Sequence, residues 1–124
     1  MNAMIGLAVG SLAGGFSRWL LTEAVQRVVG ARFPFGTLTV NLAGCLLIGV
    51  LHGLGEERLG VQGRMLLMVG FCGAFTTFST WILECSTLLD RGEWRSALGY
   101  AAASGVLGLL LFRAGSAATR SPIF

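Results

Sequence analysis

Four stretches of apolar residues dominate the chain, Ala3 to Leu21, Gly36 to Leu54, Met65 to Leu89 and Ala97 to Phe112, and the charged residues gather between them. Each is long enough, or nearly so, to cross a hydrocarbon layer, which takes about 20 mostly apolar residues in a helix. The connections are short. Residues 22–35 carry Glu23, Arg27, Arg32 and Pro34, residues 55–64 carry Glu56, Glu57 and Arg58, and residues 90–96 carry Arg91, Glu93 and Arg95. The pattern predicts an all-α membrane protein of four transmembrane helices, a single membrane domain over residues 1–124 whose tail from Arg113, with Arg120 and Pro122, is too small to be a module. Runs such as Val40 to Leu51 are apolar on both faces, whereas a membrane β-barrel needs alternating segments of about ten residues. No Arg or Lys precedes the first stretch, and Arg18 and Trp19 close it, so it reads as a retained helix and not a cleaved signal.

Composition narrows the class. Only 12% of residues are charged, about half the roughly 25% of an ordinary soluble domain, and four spans would use roughly 80 positions. That leaves no room for a separate soluble catalytic domain. The net charge of +3 comes from nine Arg and no Lys, spread singly along the chain, so nucleic acid is not an expected partner. Cys45, Cys72 and Cys85 lie inside apolar stretches without CxxC or Cys/His spacing and read as packing residues. With one histidine, His52, neither zinc chemistry nor a nucleophilic triad can be assembled. An enzyme is not expected.

Orientation in a membrane follows the Arg and Lys bias of the loops, and here that bias is absent. If four helices alternate in direction, Arg58, Arg64, Arg113 and Arg120 fall on one side and Arg27, Arg32, Arg91 and Arg95 on the other. Four against four predicts insertion both ways up, and two such chains can pair antiparallel about a two-fold axis in the membrane plane. A small protein can also balance by chance.

The polar positions within the spans carry the candidate chemistry, since polar groups at membrane depth are costly. Gly6, Gly10 and Gly14 recur every four residues, and Cys45, Gly49 and Gly53 repeat the device on the second segment. Small-residue stripes let two helix backbones approach closely. Asn41 follows Thr37 by one turn, so an amide and a hydroxyl share a face; interhelical glue and ligand contact are both open readings. In the third segment, Gly70, Gly73, Thr76, Thr77, Ser79 and Thr80 predict a helix break near Gly73 to Thr76, with freed carbonyls suited to a cation. Past the break, Phe78, Trp81 and Glu84 form one stripe at i, i+3 and i+6. Tyr100 and Ser104 stand one turn apart in the fourth segment, followed by Gly108. Asn, Thr, Ser and Tyr donors together with aromatic ring edges suit a small anion.

These motifs resemble the small bacterial fluoride channels of the Fluc/CrcB family. Residues 36–49, GTLTVNLAGCLLIG, resemble the family's second-helix signature, residues 70–80, GFCGAFTTFST, its broken third helix, and Gly10, Gly14 and Arg18-Trp19 its first helix. The resemblance implies an antiparallel dual-topology homodimer of four-helix subunits in the bacterial cytoplasmic (inner) membrane, with two fluoride pores and a central structural sodium ion. It implies fluoride contact by Asn41 and Phe78, with Thr37, Tyr100 and Ser104 in the polar lining. Arg18 and Glu84 would lie near vestibules, and the backbone carbonyls of Gly73 and Thr76 from each subunit would hold the sodium.

Three departures stand out. The family's second pore-lining phenylalanine falls at Trp81, Gly108 replaces a polar-track serine, and Ala74 stands where a glycine is frequent. They tune conductance, or they mark half of a heterodimer with a complementary relative. The function implied is passive fluoride export that protects a cell from fluoride. Two other readings compete. A drug/proton exchanger of the small multidrug resistance kind needs an acid within the first helix, and Glu23 lies just past the expected end; a membrane scaffold leaves the Asn, Phe and Tyr positions without a role.

Overall fold

The computed structural model describes residues 1–120, so the end of the tail, with Pro122, lies outside the described residues. The architecture is helical throughout, with no strand among them. Helix α1 (Ala3–Val29) opens on Asn2, whose side chain accepts from the Met4 N–H at 3.0 Å, and closes on Gly30 at φ 85°. It runs past the apolar stretch that ends at Leu21 because nothing between Thr22 and Val29 stops a helix; the first glycine able to take a positive φ does.

Helix α2 (Phe35–Gly63) starts after Pro34, and its geometry is interrupted at Gly55 and Gly60, with φ of 75° and 63°. A π-helical segment (Arg64–Cys72) and a short helix α3 (Gly73–Phe75) follow. The chain is extended at Thr76 and Thr77, and helix α4 (Phe78–Asp90) then begins. Helix α5 (Trp94–Thr119) extends beyond Ala97 and Phe112 at both ends.

Three helical runs are long and apolar enough to cross a membrane: Ala3–Val29, Phe35–Asp90 and Trp94–Thr119. The middle run has 56 residues, which as a straight helix would reach about 84 Å, against a hydrocarbon core of about 30 Å. It folds back on itself instead. Asn41 in its first half bonds Thr77 in its second, and the π-helical segment packs against α2.

Glycine seams position the layers. α1 lies along the π-helical segment and α2 along α5. A Cβ at Gly10 would come within 2.9 Å of the Phe71 nitrogen, and one at Gly14 within 3.0 Å of the Phe71 Cα. On the other seam, Gly49 would meet the Phe112 carbonyl carbon at 2.9 Å and Gly115 the Val50 nitrogen at 2.9 Å. Backbone therefore touches backbone, the contact that drives helix association where the hydrophobic effect is absent. Apolar side chains such as Leu12, Phe16, Leu98 and Leu109 point outward, as a lipid-facing surface requires.

Overpacking the first seam is the decisive test of it. Gly14→Val should destabilise the protein by at least about 1–3 kcal/mol, seen as a lower thermal midpoint and loss of monodisperse protein on size exclusion. Gly15→Ala, whose Cβ meets nothing within 4 Å, should leave both unchanged.

Candidate functional site

The site is built on the interruption between α3 and α4. Gly70 and Gly73 do not break the helix: Gly73 keeps φ −62° and ψ −36°. The extended residues are Thr76 and Thr77, whose hydroxyls offer local alternatives to helical bonding. Thr76 Oγ1 donates to the Cys72 carbonyl at 2.9 Å, and Thr77 Oγ1 accepts from the Thr80 N–H at 3.3 Å as the cap of α4. Asn41 closes the arrangement from α2. Its Nδ2 donates to the Thr77 carbonyl at 3.0 Å and its Oδ1 accepts the Thr77 N–H at 2.8 Å. A side-chain amide thus replaces the helical partners of a peptide unit, and one Asn41 N–H remains for another acceptor.

Those substitutions have a consequence for the carbonyls. In an unbroken helix the Thr77 N–H would bond the Gly73 carbonyl and the Thr80 N–H the Thr76 carbonyl; Asn41 and the Thr77 hydroxyl take those donors instead. The carbonyls of Gly73 and Thr76 are released from these bonds. Among the described residues no group of three His, Cys, Asp or Glu side chains is placed to hold a metal, so carbonyl oxygens are the donor set that a cation would find.

An open cavity of about 580 Å³ lies beside the break, bordered by Asn41, Gly73, Thr76, Thr77, Phe78, Trp81 and Ser104 among others. No charged side chain borders it. Phe78 is 73% exposed and lies 5.3 Å, centroid to centroid, from Trp81, which in turn meets the edge of Tyr100 at 6.4 Å. Gly44 admits the break to α2: any Cβ there would collide with the methyl of Thr76. Gly108 has a similar explanation, because a side chain would come 3.2 Å from the Cys45 sulfur. The Cys45 side chain would have to move by a few tenths of an ångström to admit a Cβ at 108.

Thr37, Glu84 and Tyr100 form a separate cluster. Thr37 Oγ1 donates to one carboxylate oxygen of Glu84 at 2.7 Å and the Tyr100 hydroxyl to the other at 2.8 Å. Thr37 and Tyr100 are 2% and 1% exposed, so Glu84 is held by two buried hydroxyls from α2 and α5. These three residues do not border the cavity. Arg18, half-buried on α1, does not border it either.

Sequence reasoning counted Thr77 among the residues that divert the backbone but not among the site residues, whereas the structure makes it both the partner of Asn41 and the cap of α4. Its signal was present as a threonine three positions before Thr80, a spacing at which a hydroxyl can cap the N–H of the third residue onward.

The fold and the site together define a multi-pass α-helical membrane protein with an uncharged polar site at a helix break. Residues 5–116 match the family described as "CrcB-like protein, Camphor Resistance (CrcB)", and the chain belongs to that family. Similar proteins include the fluoride-specific ion channel FluC of Maridesulfovibrio salexigens, 41% identical over 120 residues, covering 88% of this chain and 95% of that one. The protein of the same name from Nitrosococcus oceani is 42% identical, covering 84% of this chain and 85% of its own. That from Hahella chejuensis is 42% identical over 94% of both. These relatives are named as ion channels, a class of non-enzymatic proteins.

The Glu84 cluster is testable by a double-mutant cycle read as unfolding free energy. Tyr100→Phe should lower stability by about 1.5–3 kcal/mol, the range for a hydrogen bond to a charged group, and Glu84→Leu by more, since it leaves two hydroxyls without an acceptor. The double variant should lose less than the two single losses added together. Strict additivity would mean that the two side chains do not share a bond.

Proposed function

We propose that the chain is a passive, fluoride-selective channel that releases cytoplasmic fluoride across a bacterial inner membrane and so confers fluoride resistance. The observation that carries this is the uncharged polar site at the break: Asn41, whose amide holds Thr77, and the Phe78 ring border one apolar cavity that no charged side chain lines. Fluoride is small and strongly hydrated, and compact donors can replace its water without a fixed charge that would hold the ion in place. Three relatives named as fluoride-specific channels, each covering at least 84% of this chain, support the same ion.

In this reading the middle 56-residue run crosses the membrane twice, so each subunit has four spans, the second of these two broken at Thr76–Thr77. Two subunits associate antiparallel. The support is physical: non-helical backbone at bilayer depth is tolerated only where protein or a water-filled cavity covers it, and Gly73, Phe78 and Ser79 are exposed in the single chain. A second copy, inverted as the even Arg distribution allows, covers the break of the first.

A sodium ion between the two breaks fits the released Gly73 and Thr76 carbonyls. When bound it supplies a fixed positive charge that offsets the convergence of carbonyl dipoles. Asn41 orients the break, and Phe78 offers its positive ring edge. Glu84 is kept by Thr37 and Tyr100 off the cavity wall, so its negative charge does not oppose the anion there. Acid entering as HF dissociates in the cytoplasm, and the anion leaves down its electrical gradient; the chain needs only to lower the barrier for that exit.

The test is efflux from liposomes containing only this purified chain, with valinomycin and a potassium gradient setting the voltage. Rapid fluoride efflux with negligible chloride efflux is expected; no fluoride flux from well-folded protein would overturn the reading of a self-sufficient channel. Asn41→Asp removes the donor to the Thr77 carbonyl and sets an anion beside the path, and should reduce fluoride flux by at least about 100-fold, as loss of one hydrogen bond to a charged group plus like-charge repulsion implies. Phe78→Ile should reduce flux while the dimer still elutes intact.

A further inference from the structure

A second cavity, of about 220 Å³, lies toward the far end of α2, where the apolar run stops at Leu54 and charged residues begin. Leu51, Leu59 and Met68 form its apolar wall, and His52, Glu56 and Arg64 border it with polar groups. The channel reading uses none of these residues. Two glycines shape the loop: Gly55 and Gly60 take φ of 75° and 63°, a region that residues with a Cβ rarely adopt. Between and beyond these turns, Glu56 pairs with Arg64, the first residue of the π-helical segment. The His52 imidazole is steadied from α5, its ring 5.4 Å from that of Phe112, centroid to centroid. With the Arg64 and Glu56 side chains 45% and 76% exposed, their ion pair contributes little to folding. It does set one positive and one negative group over an apolar wall, at the level where a spanning helix leaves the hydrocarbon.

We propose that this cavity binds a phosphoethanolamine group, its phosphate held by Arg64 and His52 and its primary ammonium by Glu56, with Leu51, Leu59 and Met68 covering the adjoining carbon chain. A simple anion would be repelled by Glu56 and a simple cation by Arg64, whereas a ligand carrying both charges satisfies both. The guanidinium fork matches phosphate oxygens, and an imidazole donates from at least one nitrogen in either protonation state. A primary ammonium brings three N–H donors for the carboxylate. A quaternary ammonium has none and is recognised by aromatic faces, and among the described residues no Phe, Tyr or Trp borders this cavity. The group has two sources, the headgroup of a bilayer lipid and free phosphoethanolamine in the aqueous phase. The assignment is independent of the ion that the chain conducts.

The test titrates the full-length protein, monodisperse in detergent, with phosphatidylethanolamine, phosphatidylcholine or phosphatidylglycerol of identical acyl chains, and counts bound lipid by native mass spectrometry. Phosphatidylethanolamine should bind at one copy per subunit and at least about tenfold more tightly than the other two, the equivalent of one hydrogen bond to a charged group. Glu56→Gln should erase the preference over phosphatidylcholine, and His52→Ala should weaken binding of phosphatidylethanolamine. Glu57→Gln makes the same change of charge at a residue that does not border the cavity, and should leave the titration as it is in the unmutated chain. Free phosphoethanolamine separates the two sources: displacement of the lipid at comparable concentrations assigns the site to a soluble ligand, and failure to displace it assigns the site to the lipid headgroup, the same chemistry in both cases. Equal binding of the three lipids by the unmutated chain, or an undiminished preference in Glu56→Gln, would overturn the site.

Discussion

A peptide unit that leaves its helix in the middle of an apolar run must find other partners, and in this chain Asn41 provides them. Its amide bonds both the N–H and the carbonyl of Thr77, doing for one residue what two helical neighbours would have done. The surrounding structure follows from that contact. Gly44, one turn from Asn41 toward the cavity, lacks a side chain because Thr76 occupies the space. The glycine seams hold α1 against the π-helical segment and α5 against α2, so the two sides of the break approach with little freedom. Close packing of this kind does not deform continuously, which fixes the position of a bond pair that spans two halves of the chain.

Electrostatically, the site separates charge from its polar donors. A carboxylate bordering an anion's path would raise the barrier to passage, and Glu84, one turn past Trp81, is near enough in sequence to do so. Thr37 and Tyr100 take both of its oxygens, and none of the three residues borders the cavity. The hydroxyls that sequence spacing grouped with Asn41 and Ser104 as a single polar track are thus divided between two tasks. Asn41 and Ser104 border the cavity; Thr37 and Tyr100 restrain an acid. In the proposed channel both tasks serve the same end, since weak neutral donors conduct only where no strong charge competes with them.

Much of this was legible in the residues. Apolar length identified an all-helical chain with long apolar helices, the four-residue glycine recurrence identified the seams, and the Gly/Thr/Ser-rich stretch from Gly70 to Thr80 announced the break. The break fell at Thr76–Thr77, slightly beyond the glycines, because glycine merely weakens a helix, whereas a threonine hydroxyl can actively replace its bonds. Spacing on one helix states which residues share a face and says nothing of what faces them, so the division of Thr37 and Asn41 between Glu84 and Thr77 was invisible until the helices were assembled. The π-helical geometry of Arg64–Cys72 left no periodic signature, since a π turn adds a residue without changing which residue types are apolar. Helix ends were longer than the apolar stretches at Val29 and Thr119 because a helix is stopped by conformation and not by the edge of a membrane.

Gly108 and Trp81 differ in what the structure sets around them. At Gly108 a Cβ would come 3.2 Å from the Cys45 sulfur, so that side chain would have to give slightly to admit one. Trp81 is an exchange of chemistry, since a larger ring is accommodated between Phe78 and Tyr100 and brings a nitrogen that no protein group satisfies. Were both changes mere drift in packing, the gained donor would be expected to find a backbone carbonyl, as most buried donors do. Trp81 Nε1 instead stays buried without a protein partner among the described residues, so the ring is held by its packing against Phe78 and Tyr100 and not by a hydrogen bond.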